Sequence, residues 1–347
     1  MGTRDESEQR RGPGGLRGGR VTMAAVGRMA GVSQVTVSRA LSDPAKVSPQ
    51  VLEKIHEAIR VTGFVPNALA GALASSRSNL ITALVPSITN IVYSSLVQSF
   101  SGEMRRRGYQ ILLSETGFDA AEEEALIATH LSRRPDAVLL TGTRHSPQAR
   151  RMLLGAGIPV VEIWEITDTP IDLCVGFSHI EAGRAVAEFA HQRGYVDAVT
   201  VAANDERAHR RNNAFGDRFQ QLGGHLIKAI GCDGPASLAA GRAALKEAVD
   251  RDGFRKGIVF CSSDLLAHGV IIEAQARKFA VPGDIAVIGF GDQEFAADLE
   301  PALTTVRVDR ARLGRSAAEA ILARIEKRDP PEAVIDLGFE IVPRRST

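Results

Sequence analysis

Gln34, Val35, Thr36, Ser38 and Arg39 fall within six residues of one another, and these are side-chain types that can read a base pair. An amide pairs bidentately with adenine, a guanidinium with guanine, and an apolar branch packs on a thymine methyl. Hydroxyls suit phosphate oxygens, which position a protein on a duplex without reading it. Gln34 and Val35, with Arg39, are therefore the expected base readers. Thr22, Ser33, Thr36 and Ser38 are the expected phosphate contacts.

Short helices must position this set. Val26, Met29 and Ala30 recur at helical spacing and predict a first helix with one apolar face. Gly31 supplies the positive φ of a tight turn. Ser33 is placed to N-cap a second helix, on which Val37, Ala40 and Leu41 point inward and leave the polar set outside. Ser48 and Pro49 open a third helix through Val51, Leu52, Ile55, Ala58 and Ile59. Together these elements predict a small helix-turn-helix headpiece whose second helix suits a major groove.

A chain of 347 residues is too long for one typical core. Its net charge of +1 hides an asymmetry: residues 1–77 carry eleven Lys and Arg against six Asp and Glu, and the rest is net acidic. The basic end is the end with the DNA-reading pattern, as phosphate neutralisation requires. Residues 1–20 are rich in Arg and Gly with no apolar core, and are expected to be a disordered tail, not a signal peptide. No apolar run is long enough to span a membrane. Cys174, Cys232 and Cys261 have no metal spacing and predict three buried, reduced thiols in a cytoplasmic protein.

From residue 79 to 345, β-branched runs such as 80–86, 137–141, 199–203, 257–261 and 285–289 alternate with amphipathic helices. This alternation predicts parallel sheets with right-handed crossovers. Two such series in tandem predict two Rossmann-like α/β lobes whose ligands lie outside the carboxyl ends of the strands.

Thr22, Val26, Ala30-Gly31-Val32-Ser33, Thr36-Val37-Ser38-Arg39, Val47-Ser48, Gly63-Phe64-Val65-Pro66-Asn67, Ala70 and Leu73-Ala74 resemble the headpiece and hinge of the lactose/galactose-repressor family. The remaining chain is similar to the family's two-lobe, periplasmic-binding-protein-like sensor domain. The resemblance implies a headpiece at 21–66, a hinge at 67–77 and a sensor domain at 78–347. It also implies three chain crossings between the lobes. The near lobe is placed at 79–177 and 306–331, the far lobe at 178–305 and 332–345. In the hinge it assigns Asn67, Ala70 and Leu73 to DNA, with Leu73 wedging between minor-groove base steps.

The resemblance also points to effector-binding residues: Ser87, Asn90, Thr141, His145, Trp164, Glu165, Phe177, Arg211, Asp264 and Asp292. Asp264 is additionally placed to cap the helix that follows it. Residues 160–179 and 336–340 look like the gluconate-operon-repressor branch. A sugar acid would suit Arg211, with Arg210 and His145 as further cations for its carboxylate.

These features imply a cytoplasmic, homodimeric transcription factor, a repressor released from operator DNA by a sugar or sugar-acid effector. Another sugar, or an effector acting as corepressor, remains open. A periplasmic-type sugar-binding protein would share the lobes but not the headpiece. Asp264, Glu165 and His145 could form an acid–base set, but the sequence holds no phosphate loop, metal constellation or nucleophile elbow. No cofactor and no metal are expected.

Overall fold

Capping residues set the three helices of the amino-terminal unit. In the computed structural model, which describes residues 21–66, 77–328 and 332–347, α1 (Met23–Ala30) begins at Thr22 and stops at Gly31, whose φ is 69°. Helix α2 (Gln34–Ser42) is capped by Ser33, and α3 (Pro49–Thr62) follows Ser48 with proline at its first position. Val26, Ala30, Val37, Ala40, Ile55, Ala58 and Phe64 form the buried core. Met29, expected on the inner face of α1, is 55% exposed. The half-buried Met23, six residues earlier, packs against the core instead.

The chain divides after Ser78. Asn67, Ala70 and Leu73 lie outside the described residues.

The second unit, Asn79–Thr347, holds two six-stranded sheets. Strands β1 (Leu80–Val85), β2 (Gln110–Glu115), β3 (Ala137–Thr141), β4 (Val160–Ile163), β5 (Leu173–Gly176) and β11 (Val334–Asp336) build the first, in the order β11-β5-β4-β3-β1-β2. All its pairings are parallel. Strands β6 (Asp197–Ala202), β7 (His225–Gly231), β8 (Gly257–Cys261), β9 (Ile285–Phe290), β10 (Thr304–Arg307) and β12 (Glu340–Val342) build the second, ordered β12-β10-β9-β8-β6-β7. Only β12 runs antiparallel. The central strands are almost wholly apolar and buried, as strands covered on both faces must be.

Helices α4 (Ile91–Arg106), α5 (Ala120–Leu131), α6 (Pro147–Ala156) and α11 (Arg310–Ile325) accompany the first sheet. Helices α7 (His179–Gln192), α8 (Glu206–Gln221), α9 (Leu238–Asp250) and α10 (Asp264–Ala276) accompany the second. The chain passes between the lobes after β5, between β10 and α11, and between β11 and β12. The last passage lies between Asp336 and Glu340, not at the expected 331–332, because Val334–Asp336 pairs with Cys174–Gly176 of the first sheet. Likewise β10, through Arg307, belongs to the second sheet. Cys174 and Cys261 are buried, whereas Cys232 is only partly so.

Candidate functional site

Two hydroxyls shape the exposed face of the headpiece. Thr22 Oγ1 accepts from the Ala25 amide at 3.3 Å, and Ser33 Oγ accepts from the Thr36 amide at 3.1 Å. Ser33 and Thr36 hydroxyls are themselves 2.9 Å apart. These bonds start the two helices in fixed directions, so the residues after Ser33 emerge together. Gln34, Ser38 and Arg39 are exposed along α2, and Val35 is 65% exposed. Arg39 forms no ion pair among the described residues. The face offers an amide, a guanidinium, hydroxyls and one apolar branch to a partner.

In the second unit a cavity of about 410 Å³ lies between the lobes. Most of its wall is made of residues at or just past strand ends. Ser87 and Asn90 follow β1, Phe118 follows β2 and Trp164 follows β4. Opposite them, Asn204 and Asp205 follow β6, Ser262 and Ser263 follow β8, and Phe290 closes β9. Helices α4 and α8 add Tyr93, Arg207 and Arg211. The strand ends expose backbone and polar side chains that the sheets leave free, which is why such crevices bind ligands.

Arg211 is 4% exposed. It donates to the Ser262 carbonyl at 3.0 Å and to His179 Nδ1 at 2.9 Å. Burial, with Arg211 and Arg207 nearby, holds His179 well below its ordinary pKa, so the ring is neutral and Nδ1 accepts. Burial also lowers Arg211, to about 10, which still leaves it charged at neutral pH. No carboxylate pairs with it among the described residues, and its Nε has no hydrogen-bond partner.

Arg207, one helical turn earlier, donates to the Tyr93 hydroxyl at 3.1 Å from the opposite lobe. Asp205 caps α8 through the Ala208 amide and lies 3.9 Å from Arg207 Nε. The wall thus sets two guanidiniums against one carboxylate, with Trp164, Tyr93, Phe118 and Phe290 as its apolar part.

Of the residues expected at an effector, Ser87, Asn90, Trp164 and Arg211 are in this wall. Asn90 also caps α4 through the Val92 amide. Trp164 adopts a left-handed φ of 74°. The turn fits because Gly176 is bare: a Cβ there would lie 2.3 Å from the Glu165 carbonyl oxygen. Phe177, fully buried, supports Trp164 edge-on at 5.3 Å instead of facing the cavity.

The others are committed elsewhere. Thr141 donates to the Leu84 carbonyl at 3.1 Å. Glu165 pairs with Arg210, so Arg210 is not a free cation for a ligand. The His145 side chain is 0% exposed, held by Glu123 at 2.5 Å and Glu162 at 3.4 Å. Asp292 accepts from Arg307 and Arg344 at 2.6 and 2.7 Å. Asp264 is sealed beneath the wall, accepting from Thr305 Oγ1 at 2.5 Å and the Gln293 amide at 2.7 Å. The cap of α10 is Ser263, whose hydroxyl accepts from the Leu266 amide at 3.3 Å. An acid–base set of Asp264, Glu165 and His145 does not assemble, because each is bound to different partners.

The sequence reading missed Arg207, Asp205, Tyr93 and Phe290. The i, i+4 spacing of Arg207 and Arg211 was the available signal, since it puts both on one helix face.

Comparison with known proteins gives a concordant picture. Residues 22–67 match the family model described as bacterial regulatory proteins, lacI family. Residues 187–347 match the periplasmic binding protein-like domain. The HTH-type transcriptional regulator GntR of Pseudomonas aeruginosa is 35% identical over 331 residues, covering 95% of this chain and 96% of that one. GntR of Escherichia coli K12 is 31% identical over 318 residues, covering 90% and 94%. The crystal structure of a LacI-family transcriptional regulator from Silicibacter pomeroyi superposes with a TM-score of 0.89 at 32% identity, covering 94% of this chain and 99% of that one.

Proposed function

Because this chain belongs to the lacI family of bacterial regulatory proteins, we propose that α2 reads an operator half-site and that a small sugar acid of the gluconate type, bound between the lobes, sets operator affinity. The chain is a DNA-binding transcriptional regulator and not an enzyme. In the proposed reading it acts in the cytoplasm as a homodimeric repressor on a pseudo-palindromic site. Gln34, Val35 and Arg39 contact bases, and Thr22, Ser33, Thr36 and Ser38 contact phosphates. Asn67, Ala70 and Leu73 act at the minor groove. Ligand bound between the lobes favours one lobe arrangement over another, and by linkage DNA and ligand change each other's affinity equally.

One observation carries the choice of an acid. Two buried guanidiniums, Arg207 and Arg211, stand in the cavity wall with Asp205 as its one carboxylate among the described residues, and Arg211 Nε has no hydrogen-bond partner there. A buried charge left unpaired is costly, and an anion supplied by the ligand relieves that cost. Bidentate pairing of guanidinium with carboxylate supplies direction as well as energy. Trp164 and Phe290 offer aromatic faces to the C–H face of a sugar skeleton.

The test is fluorescence anisotropy on an operator selected from a random duplex library, with aldonates, uronates and neutral sugars added in turn. Release by an acid at concentrations where its neutral counterpart is inert is the expected result. Release by neutral sugars alone would overturn the choice of an acid while leaving the regulator intact.

A further inference from the structure

Arg207 and Tyr93 meet across the cavity from different lobes. Arg207 Nη2 donates to the Tyr93 hydroxyl at 3.1 Å. Both residues are nearly buried, at 8% and 6% exposure, and both belong to the cavity wall. The phenol is an acceptor in this bond, so its own proton is free to be donated. It finds no acceptor among the described residues. Burial raises the Tyr93 pKa against the opposing pull of Arg207, so that proton is present at neutral pH.

The guanidinium has spare donors as well. Its Nε is 3.9 Å from Asp205, too far for a hydrogen bond. Room for the group comes from the near lobe: Gly142 has φ 94°, and a Cβ there would stand 3.2 Å from Arg207 Nη1. Arg207 is thus lodged between the lobes, beside Tyr93 in the cavity wall.

Building on the sugar-acid reading, we infer that Arg207 and Tyr93 form the subsite for the effector's carboxylate, and that Arg207 is what distinguishes an acid from the neutral polyol of the same skeleton. One carboxylate oxygen takes the Arg207 guanidinium and the other takes the Tyr93 hydroxyl. A guanidinium and a phenol placed side by side match the two oxygens of a carboxylate, whereas a CH₂OH group in that place offers a single oxygen and no charge. Arg211, held by Ser262 and His179, lies one turn further along α8 and takes the oxygens next along the chain. Its charge adds to the field that draws the anion in. Because the two donors of the subsite come from different lobes, the carboxylate ties the lobes together. A neutral polyol leaves that tie unmade.

The experiment is calorimetric titration of the full-length protein with D-gluconate and with D-sorbitol, which carries CH₂OH where gluconate carries the carboxylate. Wild type is expected to prefer gluconate. Arg207→Gln is expected to weaken gluconate binding by roughly ten- to a hundred-fold and to collapse the gluconate-to-sorbitol ratio. Arg207→Lys, which keeps the charge but not the fork, restores part of the ratio. Tyr93→Phe lowers the ratio several-fold. Arg211→Gln weakens both ligands and preserves more of the ratio than Arg207→Gln does. Melting temperatures near that of wild type confirm that the variants fold. If Arg207→Gln keeps the wild-type ratio while wild type prefers gluconate, the subsite assignment is overturned and the sugar-acid reading stands. If wild type shows no preference for gluconate or any other aldonate or uronate over its neutral counterpart, both are overturned.

Discussion

The Arg211 guanidinium lies over the Phe290 ring, with its central carbon 3.9 Å from the ring centroid. Phe290 ends β9 and Arg211 sits on α8, so the contact fixes a cation at the strand-end crevice without neutralising it. An aromatic face attracts a cation through its quadrupole and adds no opposing charge. The guanidinium plane is therefore held in place and remains available to an anion.

Arg211→Gln is expected to cost on the order of 2–3 kcal/mol in effector binding, since a charged donor is lost. The phenotype is a regulator that still binds operator but responds only at much higher effector concentration. Anisotropy titration of operator release checks this. A wild-type response from the variant would remove Arg211 from the site.

Gln34→Ala and substitutions of Val35 should change which operators are selected, because both stand at the exposed start of α2. A contacted base is worth roughly 1–3 kcal/mol of discrimination. Thr22→Ala should instead weaken all operators together, since it removes the α1 cap and one proposed phosphate contact. Selection from a randomised half-site library separates these outcomes. An unchanged motif for Gln34→Ala would refute the assignment of α2 as the reading helix.

Much of this arrangement could be read from the residues. The apolar β-branched runs gave away the parallel strands, and Ser33, Gly31 and Pro49 marked the headpiece helices by their backbone chemistry. The crossing strands were not legible: β11 and β12 are three residues each, too short for any periodicity to register. Met29 failed because it falls on the far side of Val26 from Ala30, Gly27 and Met23, roughly 60° around the helix and outside the packed face. Asp264 failed for a different reason. Composition cannot tell a carboxylate that lines a cavity from one sealed a layer deeper. Here Gly289 admits it: a Cβ there would lie 2.3 Å from Asp264 Oδ1.

His145 should make stability fall at alkaline pH. Burial alone would depress its pKa, but the hydrogen bonds and charges of Glu123 and Glu162 outweigh that and raise it to about 9. The native state then binds a proton that the unfolded chain releases near 6.5. This contribution, on the order of 3 kcal/mol, is fully present below pH 6.5 and lost as pH rises through about 9. Urea unfolding between pH 6 and 10 measures it. His145→Gln should flatten the slope, and an equally steep variant would contradict the assignment.

Asp264 should act in a lower window. Burial raises it to about 6, against the opposing hydrogen bonds from Thr305 and Gln293. Between the unfolded value near 3.8 and about 6, the native state holds the extra proton, so stability declines as pH rises through that range. Asp264→Asn keeps an acceptor for the Gln293 amide and removes the titration. Its stability profile from pH 4 to 7 should be flatter than that of wild type, by on the order of 3 kcal/mol across the window. Identical profiles would show that Asp264 does not titrate there.

The three passages of chain between the lobes carry a mechanical consequence. Two bodies joined by one strand can twist and separate freely. Joined at Gly176–His179, at Arg307–Arg310 and at Asp336–Glu340, they keep essentially one easy motion, a rotation about the line of the connections. A protease nick within 337–339, between the last two strands, would leave two tethers intact. The lobes would stay covalently joined even in denaturant, which would free only the short carboxy-terminal piece carrying β12.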